Sequence, residues 1–253
     1  MDTPIKQAIC ALALLALTVP AVQARTQFAA DTVQTVPGGQ VIKGRVYVGA
    51  EAMRMEQEAQ GRQMIQIFTP AKGLAWMLDP QQKVYHEMRG APAPAGSGVA
   101  SPCEGMPGFS CRKSAVESIS GRNAEKWELS GSTQGKAVSA AVWLDVERRT
   151  PLRQQGPDGS QMEMKLLGRE ALNGRDTEKW EMSLRAGDGR SQRALQWYDP
   201  ELQYTVRDEM PGGMANELRN IRVGPQPAEL FQLPAGYQKR DLPPPAAAGA
   251  APH

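Results

Sequence analysis

Three aspartates recur behind tryptophans, in Trp76-Met-Leu-Asp79, Trp143-Leu-Asp145 and Trp197-Tyr-Asp199. Recurring carboxylates are a signature of acid–base chemistry. Here each stands near a turn, where an aspartate more often accepts hydrogen bonds from the backbone just beyond it. The partners that catalysis would need are scarce. Beyond the first 24 residues the histidines are His86 and the terminal His253, and no nucleophile motif accompanies either. The chain holds no His-Glu-x-x-His and no Walker loop, and its glycines punctuate turns rather than cradle a phosphate. An enzyme is not expected, nor is a cofactor.

Methionine is the unusual entry among the side chains, with 12 in the chain. Thioethers suit Cu(I), and Tyr85-His86-Glu87-Met88 offers two donor types, but no tight Met-x-x-Met spacing supports a metal site. Met also fills irregular cores, or lines adaptable apolar surfaces that accept varied ligands. The tryptophans divide in the same way between core and ligand contact. On the ligand reading the lining residues are Trp76, Trp127, Met162, Met164, Trp180 and Met182.

Two stretches, Gly121–Ser130 (GRNAEKWELS) and Gly174–Ser183 (GRDTEKWEMS), are nearly the same ten residues. They open longer similar units, 117–168 and 170–223, in which Trp143 and Asp145 match Trp197 and Asp199. Two copies are too few for a solenoid. They read instead as one antiparallel meander used twice. Trp180, Met182 and Leu184 alternate with polar residues, as do Met162, Met164 and Leu166, and Val138, Ala140, Val142 and Leu144. Asn173-Gly174, Pro157-Asp-Gly159 and Pro211-Gly-Gly213 supply the turns. Alternation of this kind implies a sheet with one wet face and one covered face.

Toward the start, strands are expected at Phe28–Val36, Val41–Val48, Met53–Glu58, Arg62–Thr69, Leu74–Leu78 and Lys83–Met88. Ala50–Gln63 has a helix-forming composition, although its apolar spacing favours a strand. A short helix is expected within Ser110–Ser120. Gly90–Pro107 reads as a loop, and the Pro/Ala-rich tail from residue 241 as disordered.

Lys6, the apolar run Ile9–Leu17, Pro20 and the small residues of Ala21-Val-Gln-Ala24 form a secretory signal, with cleavage expected after Ala24. Cys10 lacks a lipobox, and no later run is long enough to span a bilayer as a helix. The remaining cysteines, Cys103 and Cys111, are expected to be bridged in an exported protein. Net charge is +2 with both signs interspersed, and there is no basic block for nucleic acid. The reading is a signal peptide over 1–24, a single β domain over 25–240, and a tail over 241–253.

Phe28–Glu56 and Gly61–Met88, with their Gly-x-Val-Tyr strand, Arg-Met-Glu strand and Trp-x-x-Asp-Pro ending, resemble the opening of LolA-like periplasmic proteins. The closing Glu217-Leu218, Asn220-Ile221, Leu230-Phe231, Pro234, Gly236 and Tyr237 resemble the end of a family of exported bacterial domains of unassigned function. The resemblance implies a mainly β fold, a curved antiparallel sheet or half-open β-barrel with one or two short helices. It also implies a periplasmic protein that holds a lipid or other apolar ligand on its concave face. The alternative it leaves open is an envelope structural module with a filled core and a protein partner. No functional residue transfers by this resemblance.

Overall fold

The computed structural model describes residues 25–59, 61–89, 102–103, 108–133 and 135–241. The expected signal segment with Cys10, most of the 90–107 loop and the tail from 242 lie outside the described residues. Sixteen strands form one sheet: β1 (Phe28–Thr35), β2 (Val41–Val48), β3 (Met53–Ala59), β4 (Arg62–Thr69), β5 (Leu74–Asp79), β6 (Val84–Arg89), β7 (Phe109–Ile119), β8 (Arg122–Thr133), β9 (Lys136–Asp145), β10 (Pro151–Gln155), β11 (Gln161–Leu172), β12 (Arg175–Arg185), β13 (Ser191–Asp199), β14 (Tyr204–Met210), β15 (Met214–Val223) and β16 (Gln238–Lys239). Short 3-10 turns cover Pro70–Lys72 and Ala228–Phe231. No helix among the described residues is long and apolar enough to cross a membrane.

The strand order is β16-β6-β5-β4-β3-β2-β1-β15-β14-β13-β12-β11-β10-β9-β8-β7. Two meanders, β1–β6 and β7–β15, therefore meet where β1 pairs with β15. Among the described residues every pairing is antiparallel except β16 on β6, and the sheet does not close on itself. This is the curved, unclosed antiparallel sheet expected from the sequence. The Ala50–Gln63 stretch resolves as β3 and the start of β4.

The short helix expected within Ser110–Ser120 is absent, because Phe109–Ile119 is the strand β7. Its pairing with β8 shifts between Lys113 and Ala115. An extra residue there breaks the period of two, so the alternation that marks a strand was hidden. A matching shift interrupts β11 between Leu166 and Gly168. Each of these long hairpins ends in a two-residue turn with both residues at positive φ, Ser120 and Gly121 (50° and 76°) and Asn173 and Gly174 (52° and 78°). That geometry matches the twist of the strands and favours Gly and Asn.

The tips of these hairpins dock on later strands. The Ser120 hydroxyl donates to the Met164 carbonyl at 3.3 Å and accepts from the Leu166 amide at 3.2 Å. The Asn173 amide donates to Glu217 at 2.9 Å. The strand-end aspartates play the part read from their spacing. One oxygen of each accepts two backbone N–H groups: Gln81 and Gln82 for Asp79, Glu147 and Arg148 for Asp145, Glu201 and Leu202 for Asp199. Asp145 and Asp199 are each 1% exposed and are bound in addition by Arg122 and Arg175.

The closing segment also has a packing role. Phe231, Leu233 and Tyr237 cover Ile65, Ile67 and Leu78 on the first meander. A Cβ at Gly49 would sit 2.7 Å from the Phe231 ring, so any larger residue there would push the ring aside.

Ion pairs set an acid limit on this architecture. Lys113 and Arg149 hold the Glu125 carboxyl down at about 2. At Asp145 and Glu178 burial disfavours the charge, but Arg122 and Arg148 outweigh it and keep both below their ordinary values. A depressed carboxylate contributes stability above its unfolded pKa, and loses it as pH falls through the folded one. The melting temperature is therefore expected to fall as the pH drops from about 4.5 toward 2. A pH series of thermal melts checks this, and Glu125→Gln should flatten part of the slope.

Candidate apolar-ligand site

Residues directly opposite one another in a ladder share a face. Trp127 stands opposite Val142, Val142 opposite Gln154, Gln154 opposite Met162, Met162 opposite Leu184, and Leu184 opposite Gln192. This row crosses six strands on one face of the second meander. Beside it Leu129 faces Ala140, and Met164 faces Met182, with Leu166 and Trp180 next. The opposite face carries Lys126, Arg153, Glu163 and Glu181, which are charged. The charges thus collect on one face, where Lys126 and Arg153 lie over the buried Trp143 ring, and the face of the Trp127–Leu184 row is largely uncharged.

A cavity of about 650 Å³ opens on the apolar side, lined chiefly by Leu129, Ala140, Val142, Gln154, Met162 and Leu184. Pro102 borders it, and next to Pro102 the bridge Cys103–Cys111 packs on Leu129, Val142 and Leu144. The expected disulfide is thus formed, at the edge of the cavity.

Of the six residues proposed to line a ligand, Met162 borders the cavity. Met162, Met164, Trp180 and Met182 pack together in one cluster, with Trp143 and Leu152. Trp127 belongs to the adjoining cluster against the disulfide. Trp76 lies elsewhere, packed on Ile65, Ile67 and Leu78 with its Nε1 donating to Glu87 at 3.3 Å. Leu129, Ala140, Val142 and Leu184 were not singled out from the sequence as ligand contacts. Their alternation was legible, but which strands flank an open volume depends on where the meander leaves the sheet uncovered.

The indoles differ in their polar partners. Trp180 donates to Glu178 at 3.0 Å, and Trp197 donates to Glu170. The Nε1 atoms of Trp127 and Trp143 are buried without an acceptor among the described residues. A buried donor without a partner is uncommon and costly. His86, the sequence's one candidate imidazole ligand, places Nδ1 2.9 Å from the Arg240 carbonyl, a bond that requires the Nδ1-protonated ring.

Neither a family model nor a curated protein sequence matches this chain. Among solved structures, it is similar to a LolA superfamily protein, NE2245, from Nitrosomonas europaea, at 12% identity over 83% of this chain and 91% of that one, with a TM-score of 0.37. A putative outer membrane lipoprotein-sorting protein domain from Vibrio parahaemolyticus is similar at 9% identity over 79% and 85%, with a TM-score of 0.32. MucB, in its complex with MucA from Pseudomonas aeruginosa, is similar at 11% identity over 78% and 93%, with a TM-score of 0.24. Likenesses this distant leave the choice of ligand to the chain's own residues.

Proposed function

We propose that this is an exported, non-enzymatic binding protein that holds a lipid or other aliphatic ligand against the apolar face of its sheet. The observation that carries the reading is the open cavity of about 650 Å³, walled by Leu129, Ala140, Val142, Met162 and Leu184. Its volume is in the range of pockets that enclose small apolar molecules. Met162 and the methionines behind it supply a surface that re-packs around different chains. The bridge Cys103–Cys111 fits an oxidising compartment, and with the expected cleavage after Ala24 supports a periplasmic location. On this reading residues 25–240 are one domain, and the two similar units are structural duplicates that build the binding face.

The test is a titration of the detergent-free protein with N-phenyl-1-naphthylamine, a neutral apolar fluorophore. A saturable blue-shifted signal, displaced by long-chain alcohols, is expected. A linear, unsaturable signal would refute the reading and favour a structural module of the envelope with a protein partner.

A further inference from the structure

The methionines of this chain divide into two groups. Met53, Met55, Met162, Met164 and Met182 pack in or against the hydrophobic clusters. Met77 and Met88 are half-buried and belong to none of those clusters. Both lie on the first meander, where Met55 stands opposite Gln66, Gln66 opposite Met77, and Met77 opposite His86. Met88 follows His86 by two positions, so it shares that face and stands diagonal to Met77. The cluster of Ile65, Ile67 and Leu78 beneath Phe231 and Tyr237 occupies the other face and does not account for these side chains. Opposed side chains on neighbouring strands lie about 5 Å apart at Cβ, and diagonal ones about 7–8 Å apart, within reach of long side chains. Two thioethers and an imidazole can therefore converge over β5 and β6.

The His86 ring is held in the form that such a site needs. Its Nδ1–H donates to the Arg240 carbonyl at 2.9 Å, which leaves the lone pair on Nε2. A metal-binding imidazole is commonly fixed in this way, with its other ring nitrogen on a carbonyl. Arg240 follows β16, which flanks β6 on the side away from β5. The two ring nitrogens are directed apart, so Nε2 is directed away from Arg240, toward the side where Met77 stands. The nearby cations are engaged elsewhere. The Arg240 guanidinium reaches Gln82 at 3.4 Å, and Lys239 pairs with Glu87 at 3.2 Å.

Two thioethers and a neutral imidazole form an uncharged, soft donor set, which suits Cu(I). Zinc favours thiolate, imidazole and carboxylate ligands. Among the described residues no three His, Cys, Asp or Glu side chains gather to supply them. We propose that Met77, Met88 and Nε2 of His86 bind one Cu(I) ion. Spacing along the chain hides this group, because its donors come from two strands and register joins them. The site lies on the first meander, apart from the cavity beside Met162, and does not depend on the apolar-ligand reading.

The experiment is competition for Cu(I), kept reduced with ascorbate under argon, between the coloured bicinchoninate complex and the full processed chain prepared without an affinity tag. One equivalent is expected to pass to the protein. Met77→Leu, Met88→Leu and His86→Gln should each weaken retention at least about tenfold, as for the loss of a supporting group at a metal site. Leucine keeps the volume of methionine, so the two Leu variants carry the test if His86→Gln fails to fold. Met64→Leu is the control, because Met64 is 48% exposed and lies one strand further from His86. It should leave retention unchanged. No transfer to the unaltered protein would overturn the proposal. So would transfer that survives Met77→Leu and Met88→Leu, which would show adventitious binding by scattered side chains. Zn(II) held as tightly as Cu(I) would overturn the assignment to a soft ion.

Discussion

Replacing Asp145 by alanine lowers stability by about 3–5 kcal/mol, the cost of removing one partner from a buried ion pair. The carboxylate is 1% exposed and has two kinds of partner, an arginine and two turn amides. Arg122 binds it from β8, the amides of Glu147 and Arg148 bind it from the turn, and Arg122 also reaches Glu147 at 2.8 Å. Alanine leaves the guanidinium, which is 19% exposed, and two turn amides without their acceptor. Asp199→Ala should match it, because Arg175, Glu201 and Leu202 repeat the arrangement. Asp79→Ala should cost less, about 0.5–2 kcal/mol, as for a lost capping side chain. Among the described residues no arginine joins its two amide bonds. Urea midpoints of the three variants give the comparison directly. If Asp145→Ala fell within about 1 kcal/mol of the unaltered protein, the carboxylate would not be structural, and its recurrence would need a chemical explanation.

The second large effect is on binding. Ala140 lies opposite Leu129 and lines the 650 Å³ cavity. Ala140→Trp places an indole in open volume, so the fold should not be overpacked. Affinity for N-phenyl-1-naphthylamine is expected to fall at least about tenfold, equivalent to 1.4 kcal/mol. The urea midpoint should stay near that of the unaltered protein. Trp76→Ala provides the contrast. It removes a ring from the cluster under Phe231 and Tyr237, so stability falls while binding persists. Unchanged probe affinity in Ala140→Trp would place the site elsewhere.

These two predictions come from features that differ in how far the sequence exposed them. The aspartates were legible because the signal is local: a tryptophan, a carboxylate and a turn within a few residues. The partners Arg122 and Arg175 open the similar ten-residue stretches, but pairing them with Asp145 and Asp199 needs the register of β8 on β9 and β12 on β13. The strands were legible wherever the alternation was intact, as in β2 and β4, whose bounds agree with the expectation to the residue. β7 was not, because its bulge shifts the period and its Arg-Lys-Ser run lacks a covered side. The binding face was half legible. Met162, Met164, Trp180 and Met182 were grouped by alternation, and the structure packs them together. Trp76 shares their chemistry but lies across the sheet's other meander, a separation that residue type cannot reveal.

The account stands on a ligand held in the apolar concavity, and native mass spectrometry tests that most directly. The chain would be expressed with its N-terminal segment intact, recovered without detergent and measured before and after solvent extraction. The account predicts a one-to-one adduct that extraction removes, and whose mass fits an aliphatic molecule. A single mass equal to the bare processed chain, unshifted after incubation with a long-chain alcohol or phospholipid, would contradict it.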